Sequence, residues 1–160
     1  METIDVIANN IEDYVDFTSQ LEMICKFYKI PLDASPLYNF RDALSHYIFR
    51  YEATNDYDKI AQETSIKEHL FRGAKDIYVL ILQDMIKRVS IVLKKLNFRK
   101  KEQDFRILLH EFKKLEIEIR KNTESAVIRN LTSFIEMLND LIEKTKIIFE
   151  QNGTNFFDSK

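Results

Sequence analysis

Residues 77–82, IYVLIL, are apolar at every position and decide which fold the rest of the chain can adopt. A short apolar run of this kind forms a buried strand when turn residues bound it. Here no turn signal bounds the run, and apolar residues continue at three- and four-residue spacing on both sides. We therefore predict a helix over about 57–97, long enough to bend near Gly73 or Ser90, at the centre of a helical bundle.

The composition predicts one all-α domain. The chain has 160 residues, of which only two are glycine and two are proline, and 31% are charged. Few turn-forming residues beside abundant Leu, Ile, Lys and Glu are typical of helical bundles. A chain of this length buries one core. We therefore predict an antiparallel bundle of about five helices over residues 1–152, followed by a flexible tail at 153–160.

Four further helices are predicted from breaks and apolar stripes, at about 3–29, 36–53, 100–121 and 124–151. Pro31 ends the first, and Ser35 and Pro36 fit the N-cap and first turn of the second. Asn55 lies in the break before the central helix, and Gly153 fits the C-cap of the last. The predicted core-facing stripes are Ile4, Ile7, Ile11, Tyr14, Thr18, Leu21, Cys25 and Tyr28 in the first helix, Leu37, Phe40, Leu44, Tyr47 and Tyr51 in the second, Phe105, Leu108, Phe112, Leu115 and Ile119 in the fourth, and Val127, Leu131, Phe134, Leu138, Leu141, Thr145 and Ile148 in the fifth.

The charge pattern argues against a protein that coats nucleic acid, because the net charge is −2. A local basic run at 94–101 is interpreted as a solubilising loop with cations at a helix C-terminus. The single cysteine, Cys25, falls in an apolar repeat and fits the core. No apolar window approaches the roughly 18 residues of a membrane helix, so we expect a cytoplasmic protein without membrane contact.

Candidate acid and base residues lie on the second helix. Asp42, His46 and Arg50 are four residues apart, so they form one row on a helix, and we expect this row to face away from the core stripe. The Asp42 carboxylate can fix the His46 tautomer, as in a general acid or base. Phe49 lies on the same side, which indicates that this face meets the third helix, a second subunit or a ligand. An antiparallel third helix would bring a matching row opposite, namely Ser65, His69, Arg72 and Asp76.

The sequence predicts no metal and no cofactor. No Glu lies three residues before a His, no two histidines are three to five residues apart, and a lone cysteine cannot build a zinc cluster. Neither a glycine-rich phosphate loop nor a nucleophile elbow is present in the sequence. The absence of these motifs therefore argues against metal-dependent enzymes and against enzymes that bind nucleoside triphosphates.

The segment RDALSH, residues 41–46, resembles the short signature of the HEPN superfamily, a group of small all-helical proteins. That signature is an arginine, a polar residue, three further residues and a histidine, and Asp42 fits the polar position. A tyrosine two positions after the histidine is common in the family, whereas this chain has Ile48 there and Tyr47 beside the histidine. The resemblance implies an HEPN-like fold and a metal-independent endoribonuclease, acting as a toxin or defence component.

In such enzymes the motif lies at a homodimer interface, where two copies face one RNA phosphate. Carried over, the resemblance places His46 at the ribose 2′-hydroxyl and Arg41 at the phosphate, whose developing charge it stabilises. On an ideal helix these two residues point about 140° apart, so the hypothesis requires a second chain. The expected partners are that second copy, RNA, and a protein partner or antitoxin. Helix geometry adds four supporting residues, Asp42, Arg50, His69 and Arg72.

The alternative hypothesis is a non-catalytic bundle that binds a protein partner or self-associates, through the face of His46 and Phe49 or through the fifth helix. An ion-pair network between helices explains the charged rows as well as an active site does. His110 has no comparable neighbours, and we interpret it as structural. The sequence leaves the catalytic and the non-catalytic hypotheses open.

Overall fold

Five α-helices make up the described part of the chain, which confirms the predicted all-α bundle. The computed structural model describes residues 2–32, 34–95, 99–122 and 131–153, and no strand occurs in these ranges. The helices are α1, Glu2–Phe27; α2, Ser35–Glu52; α3, Asp56–Lys95; α4, Arg99–Lys121; and α5, Leu131–Gln151. Within the described residues, none of these helices combines the length and apolarity needed to span a membrane.

α3 is the central helix, and it continues without interruption over 40 residues. The run at 77–82 lies in its middle, where Ile77, Tyr78, Ile81 and Leu82 are each at most 4% exposed. A helix that is apolar on several sides needs several partners, and α1, α2 and α4 all pack against α3. The Tyr78 hydroxyl donates a hydrogen bond to the backbone carbonyl of Phe134 in α5. The apolar run is therefore the centre of the bundle, as predicted.

α2 and α4 run antiparallel to α3. Ser35, at the start of α2, donates a hydrogen bond to Asp76, whereas Arg50, near its end, pairs with Glu63 earlier in α3. The Lys75 ammonium donates to the backbone carbonyl of Asn122, just after the end of α4, and the Gln83 amide, later in α3, donates to Glu116, earlier in α4. α3 therefore has an antiparallel neighbour on each of two sides.

α1 ends two residues before its predicted end. Lys29 adopts a left-handed conformation with φ of 53°, and the N–H of Ile30 donates to the carbonyl of Cys25 at 2.8 Å. This hydrogen bond closes the helix in the manner of a Schellman motif. Cys25 is buried, as expected for a core residue, and burial raises the pKa of its thiol to about 11. The carbonyl of Tyr28 accepts a hydrogen bond from the buried Arg88 of α3.

The cap of α2 differs from the prediction, and that of α3 agrees with it. The N-cap of α2 is Ala34, which forms no side-chain cap hydrogen bond, so the assignment of Ser35 as N-cap is wrong. The Ser35 hydroxyl instead donates to the Asp76 carboxylate at 2.8 Å, because a charged acceptor on the neighbouring helix binds it strongly. Asn55 caps α3, since its side-chain oxygen accepts the N–H of Asp58 at 2.8 Å.

α2 turns the apolar stripe that was predicted to face the core outward, so the predicted core stripe of α2 is wrong. The prediction that the row of Asp42, His46 and Arg50 faces away from the core is wrong as well. Pro36 and Ala43 are buried, and Asn39, His46 and Arg50 lie half-buried on the same side, facing α3. The first half of α3 presents polar side chains to α2, and polar groups leave water readily only when they are hydrogen-bonded. The polar row of α2 supplies those hydrogen bonds. The exposed stripe consists of Leu37, Phe40, Leu44, Tyr47 and Tyr51. Phe40 is the least exposed of them, because its ring stacks on that of Tyr14 in α1 with the centroids 6.0 Å apart.

The stripes of the other helices face the core wherever the structure describes them. α4 buries all five predicted residues, and in α1 every predicted residue from Tyr14 onward is buried. In α5, Phe134, Leu138 and Thr145 are buried, and Leu141 and Ile148 are partly buried against the same core. Gly153 has a φ of 65°, as expected for a C-cap glycine. Several predicted features lie outside the described residues, namely the side chains of Ile4, Ile7, Ile11, Val127 and Leu131, the start of the fifth helix at 124–130, the centre of the basic run at 96–98, and the tail at 154–160.

Gly73 allows three helices to approach one another closely. A Cβ atom placed on this residue would lie 3.4 Å from both the Asn39 Cβ and the Pro36 carbonyl oxygen, and 3.5 Å from the Tyr14 hydroxyl. Tyr14 of α1 lies beside Gly73, and Tyr28, just after α1, lies beside Arg88, which comes later in α3. α1 therefore runs parallel to α3. Position 73 therefore has room for a methyl group, and a larger side chain would have to move α1 or α2.

Replacing Gly73 by Leu should lower the free energy of unfolding by about 1 to 3 kcal/mol, because the added atoms force α1 and α2 away from α3. Gly73→Ala is the control. Its added methyl group meets its neighbours at ordinary contact distance, and the gain in helix propensity is up to about 1 kcal/mol. Urea unfolding followed by circular dichroism measures both changes. A Leu variant as stable as the wild type would contradict the close approach.

Candidate functional site

The interface between α2 and α3 is a ladder of polar contacts rather than an apolar seam. We call it the polar ladder. Its contacts have lengths of 2.6 to 3.4 Å, and the described part of the chain contains no buried side-chain nitrogen or oxygen without a hydrogen-bond partner. Such a ladder holds α2 in one register, because a shift of one turn would break every contact. The paired side chains are Ser35 and Asn39 with Asp76, Asn39 with His69, His46 with Gln62, and Arg50 with Glu63.

Two histidines meet in the middle of the polar ladder. The rings of His46 and His69 stack with their centroids 5.2 Å apart and their planes 21° from parallel, and both are half-buried. The prediction that antiparallel packing brings the two rows together is therefore confirmed for these two residues. Phe49 packs its ring edge-on against His46 at 6.1 Å. A half-buried pair of imidazoles is accessible to a ligand and partly shielded from water.

Side-chain amides orient both rings, so the prediction that the Asp42 carboxylate fixes the His46 tautomer is wrong. Asp42 accepts hydrogen bonds from Arg41 instead. Nδ1 of His46 lies 2.6 Å from the amide oxygen of Gln62, and Nδ1 of His69 lies 3.4 Å from the amide oxygen of Asn39. An amide oxygen only accepts hydrogen bonds, so with the amides in this orientation each Nδ1 carries the proton. The neutral rings then hold their lone pairs on Nε2, which is the arrangement needed by a proton acceptor.

Charges around the pair act in opposite directions on His69. Burial lowers the pKa of His69, and the nearby His46 lowers it further, whereas the Asp42 carboxylate raises it. The net effect is a pKa below the ordinary histidine value. The two stacked rings therefore resist carrying a positive charge at the same time.

Arg41 does not contact His46. Its guanidinium donates two hydrogen bonds, of 2.9 and 2.7 Å, to one oxygen of Asp42, and it lies over the Tyr38 ring at 5.4 Å from the ring centre. The hydrogen bond from Arg41 lowers the pKa of Asp42. Because the Asp42 charge acts on both histidines, this carboxylate connects Arg41 to the pair. The Arg41 side chain is 67% exposed, so a ligand can reach it.

The two other predicted arginines have different surroundings. Arg50 pairs with Glu63 at 2.7 Å in a largely buried contact, which favours a structural role at the end of the polar ladder. Arg72 pairs with Glu68 at 3.5 Å on the surface, and its charge acts on His69. Arg72 therefore belongs to the surroundings of the histidine pair, and Arg50 belongs to the helix interface.

The sequence did not single out the amides that orient the histidines. Gln62 and Asn39 are neutral, so a search for ionisable residues passes over them. Their signal is positional, since both lie on the helix faces that α2 and α3 turn toward each other. That signal could be used only once the register of the two helices was known.

No model of a known protein family matches this chain. Curated proteins and solved structures give no match either. Within the described residues, no three His, Cys, Asp or Glu side chains are grouped so as to hold a metal ion. The assignment of a function therefore rests on the geometry at the α2–α3 interface.

Lowering the pH should destabilise the fold through His69. Its pKa in the folded state lies below the unfolded value of about 6.5, so the unfolded chain binds more protons. The contribution of His69 to the free energy of unfolding is complete above the unfolded-state pKa. This contribution is lost as the pH falls below that pKa toward the pKa of the folded state. We expect His69→Gln to flatten the decline of unfolding free energy between pH 7 and pH 5, as measured by urea titrations at several pH values.

His110→Gln is the matched control for this measurement, because His110 is exposed on α4, away from the pair. The control should keep the wild-type pH dependence. An identical decline in His69→Gln and in the wild type would show that the buried pair does not cause it.

Proposed function

We propose that the protein is an HEPN-like, metal-independent endoribonuclease of the cytoplasm, acting as a toxin or defence component, with the His46 and His69 pair at its centre. The observation that carries this proposal is the stacking of two half-buried imidazoles with their Nδ1 atoms held by amides. Two histidines of this kind can accept one proton and donate another near neutral pH.

The cleavage step uses the 2′-hydroxyl of the RNA as nucleophile. Nε2 of His46 accepts the proton of this hydroxyl, and the oxygen attacks the adjacent phosphorus to form a 2′,3′-cyclic phosphate. The bond to the 5′-oxygen breaks, and protonated His69 donates a proton to that leaving oxygen. Because the two stacked rings resist carrying a positive charge at the same time, His46 accepts its proton in the same step in which His69 gives one up. The lowered pKa of His69 makes its protonated form the minor form at neutral pH, and it makes that form a stronger acid.

The surroundings of the pair suit an RNA ligand. Arg41 and Arg72 are exposed cations near the pair, and their surface ion pairs are weak enough to yield to a phosphate. Tyr38 and Phe49 expose more than half of their surface beside them and offer rings on which bases can stack. The chain therefore offers phosphate contacts, base contacts and proton transfer on one flank of α2.

A second candidate function is a non-catalytic bundle that binds a protein partner such as an antitoxin. The outward apolar stripe of α2 favours it, because large exposed apolar surfaces mark interaction sites. The two functions differ in what His46 does. A binding bundle needs it only for the polar ladder, whereas the nuclease needs its Nε2 atom.

His46→Ala, His69→Ala and Arg41→Ala should each reduce cleavage of a mixed-sequence oligoribonucleotide by roughly 100-fold or more. A general acid or base contributes at least about that factor, and so does a donor that stabilises the charge developing on the phosphate. Gel analysis of end-labelled RNA measures the loss. An oligonucleotide with 2′-deoxyribose at the cleaved position should stay intact, and a chelator should leave the rate unchanged.

His110→Ala and Arg106→Ala are the controls. Arg106 matches Arg41 because its side chain is 66% exposed and it pairs with a neighbouring carboxylate, that of Glu102. Both controls should cleave at the wild-type rate, and all variants should keep the helical circular dichroism spectrum. Unchanged cleavage in the His46 and Arg41 variants would remove the nuclease proposal and leave the binding bundle.

A further inference from the structure

α2 exposes every large apolar side chain that it carries, which sets it apart from the other helices. The exposed fractions range from 39% for Phe40 to 87% for Tyr51. The central helix α3, in contrast, buries Leu70, Ile77 and most of its other large apolar residues. The exposed side chains of α2 are Leu37, Tyr38, Phe40, Leu44, Tyr47, Ile48, Phe49 and Tyr51.

The outward stripe and its neighbour Ile48 form a surface of the size that stable complexes bury. With roughly 200 Å² for a fully exposed side chain of this size, the stripe and Ile48 expose about 700 Å² per chain. The largest apolar patch on a typical monomer covers about 300 to 600 Å². A standard interface buries about 800 Å² on each partner. The stripe therefore provides most of one such interface.

The spacing of the stripe is that of a helix-pairing seam. Its residues recur at alternating intervals of three and four along α2, the pattern with which two helices pack at a small crossing angle. We propose that a second copy of this chain covers the stripe, with the two α2 helices antiparallel around a two-fold axis at Leu44. In this arrangement Leu37 faces Tyr51 of the second copy, and Phe40 faces Tyr47.

The shape and charge of the stripe favour a second copy of the chain as the partner and favour the antiparallel direction. The stripe contains no charged residue, so two copies can meet along it without burying an unpaired charge. Antiparallel pairing sets Tyr51 opposite the smaller Leu37, and it sets the ring of Phe40 opposite that of Tyr47. It also keeps the two Arg41 guanidinium groups apart, whereas parallel pairing sets them side by side along the edge of the seam.

The proposed dimer leaves both histidine pairs accessible. His46 lies about 140° around α2 from the centre of the stripe, so its ring faces α3 and not the second copy. Each chain then carries its own complete pair on an outer flank. This differs from the expectation, implied by the resemblance, of two motifs facing one phosphate across the axis. Dimerisation and RNA cleavage are therefore separate properties that can fail independently.

Leu44→Glu should weaken the dimer by at least about 100-fold, because two carboxylates would meet at the axis in an apolar seam. Analytical ultracentrifugation of the full chain, without RNA, measures the dissociation constant. Ile117→Glu is the matched control, since Leu44 and Ile117 are 50% and 51% exposed but Ile117 lies on α4. The control should dimerise like the wild type, and both variants should keep the helical circular dichroism spectrum. Leu44→Glu should also lose the rise in melting temperature with chain concentration that a dimer shows.

Disulfide crosslinking tests the direction of the helices. Leu44→Cys should crosslink to itself at the axis, and a mixture of Leu37→Cys and Tyr51→Cys should crosslink to each other. The buried Cys25 gives the wild-type background. A wild-type chain that stays monomeric at tens of micromolar, a dimer insensitive to Leu44→Glu, or efficient self-crosslinking of Leu37→Cys would each overturn the proposal.

Discussion

The requirement that polar groups hidden from water be hydrogen-bonded determines how α2 lies on α3. α2 covers the Asp76 carboxylate, which then accepts hydrogen bonds from Ser35 and Asn39 of α2. The same constraint places Gln62 opposite His46 and Glu63 opposite Arg50. α2 therefore turns its polar row inward. Its apolar stripe, which would be the core face of an ordinary amphipathic helix, is left on the surface.

This orientation gives the two sides of α2 different properties. On the inner side, Ala43 and Gly73 keep the helix axes close, so that His46 and His69 can stack and share their charged neighbours. On the outer side, Phe40 still stacks on Tyr14 of α1, and the other aromatic and aliphatic residues of the stripe are available for a partner. The histidine pair and the exposed stripe thus have one physical cause. A nuclease site and a pairing surface on the same short helix are compatible, because they point in different directions.

Apolar periodicity was sufficient where a helix had only one way to bury its surface. α4 carries a single strong apolar stripe in an otherwise polar helix, and residues such as Phe105 and Phe112 were placed correctly in the core. The second helix failed because its sequence contains two usable faces. Periodicity identified the stripe through Leu44 and the polar row of His46, but it could not tell which of the two faces of α2 would be buried. The assignment of Ser35 as a cap failed for the same reason, since its partner is 41 residues away.

The sequence by itself determined the all-α fold, the central position of residues 77–82 and the spacing that brings His46 and His69 onto facing helices. These follow from local propensity and from periodicity along one chain. Only the tertiary structure decided which face of α2 is buried, that Arg41 pairs with Asp42 and not with a histidine, and that Asn39 and Gln62 orient the rings. Those outcomes depend on the register between two helices, which hydrogen bonds across the interface fix and which no pattern within one helix contains.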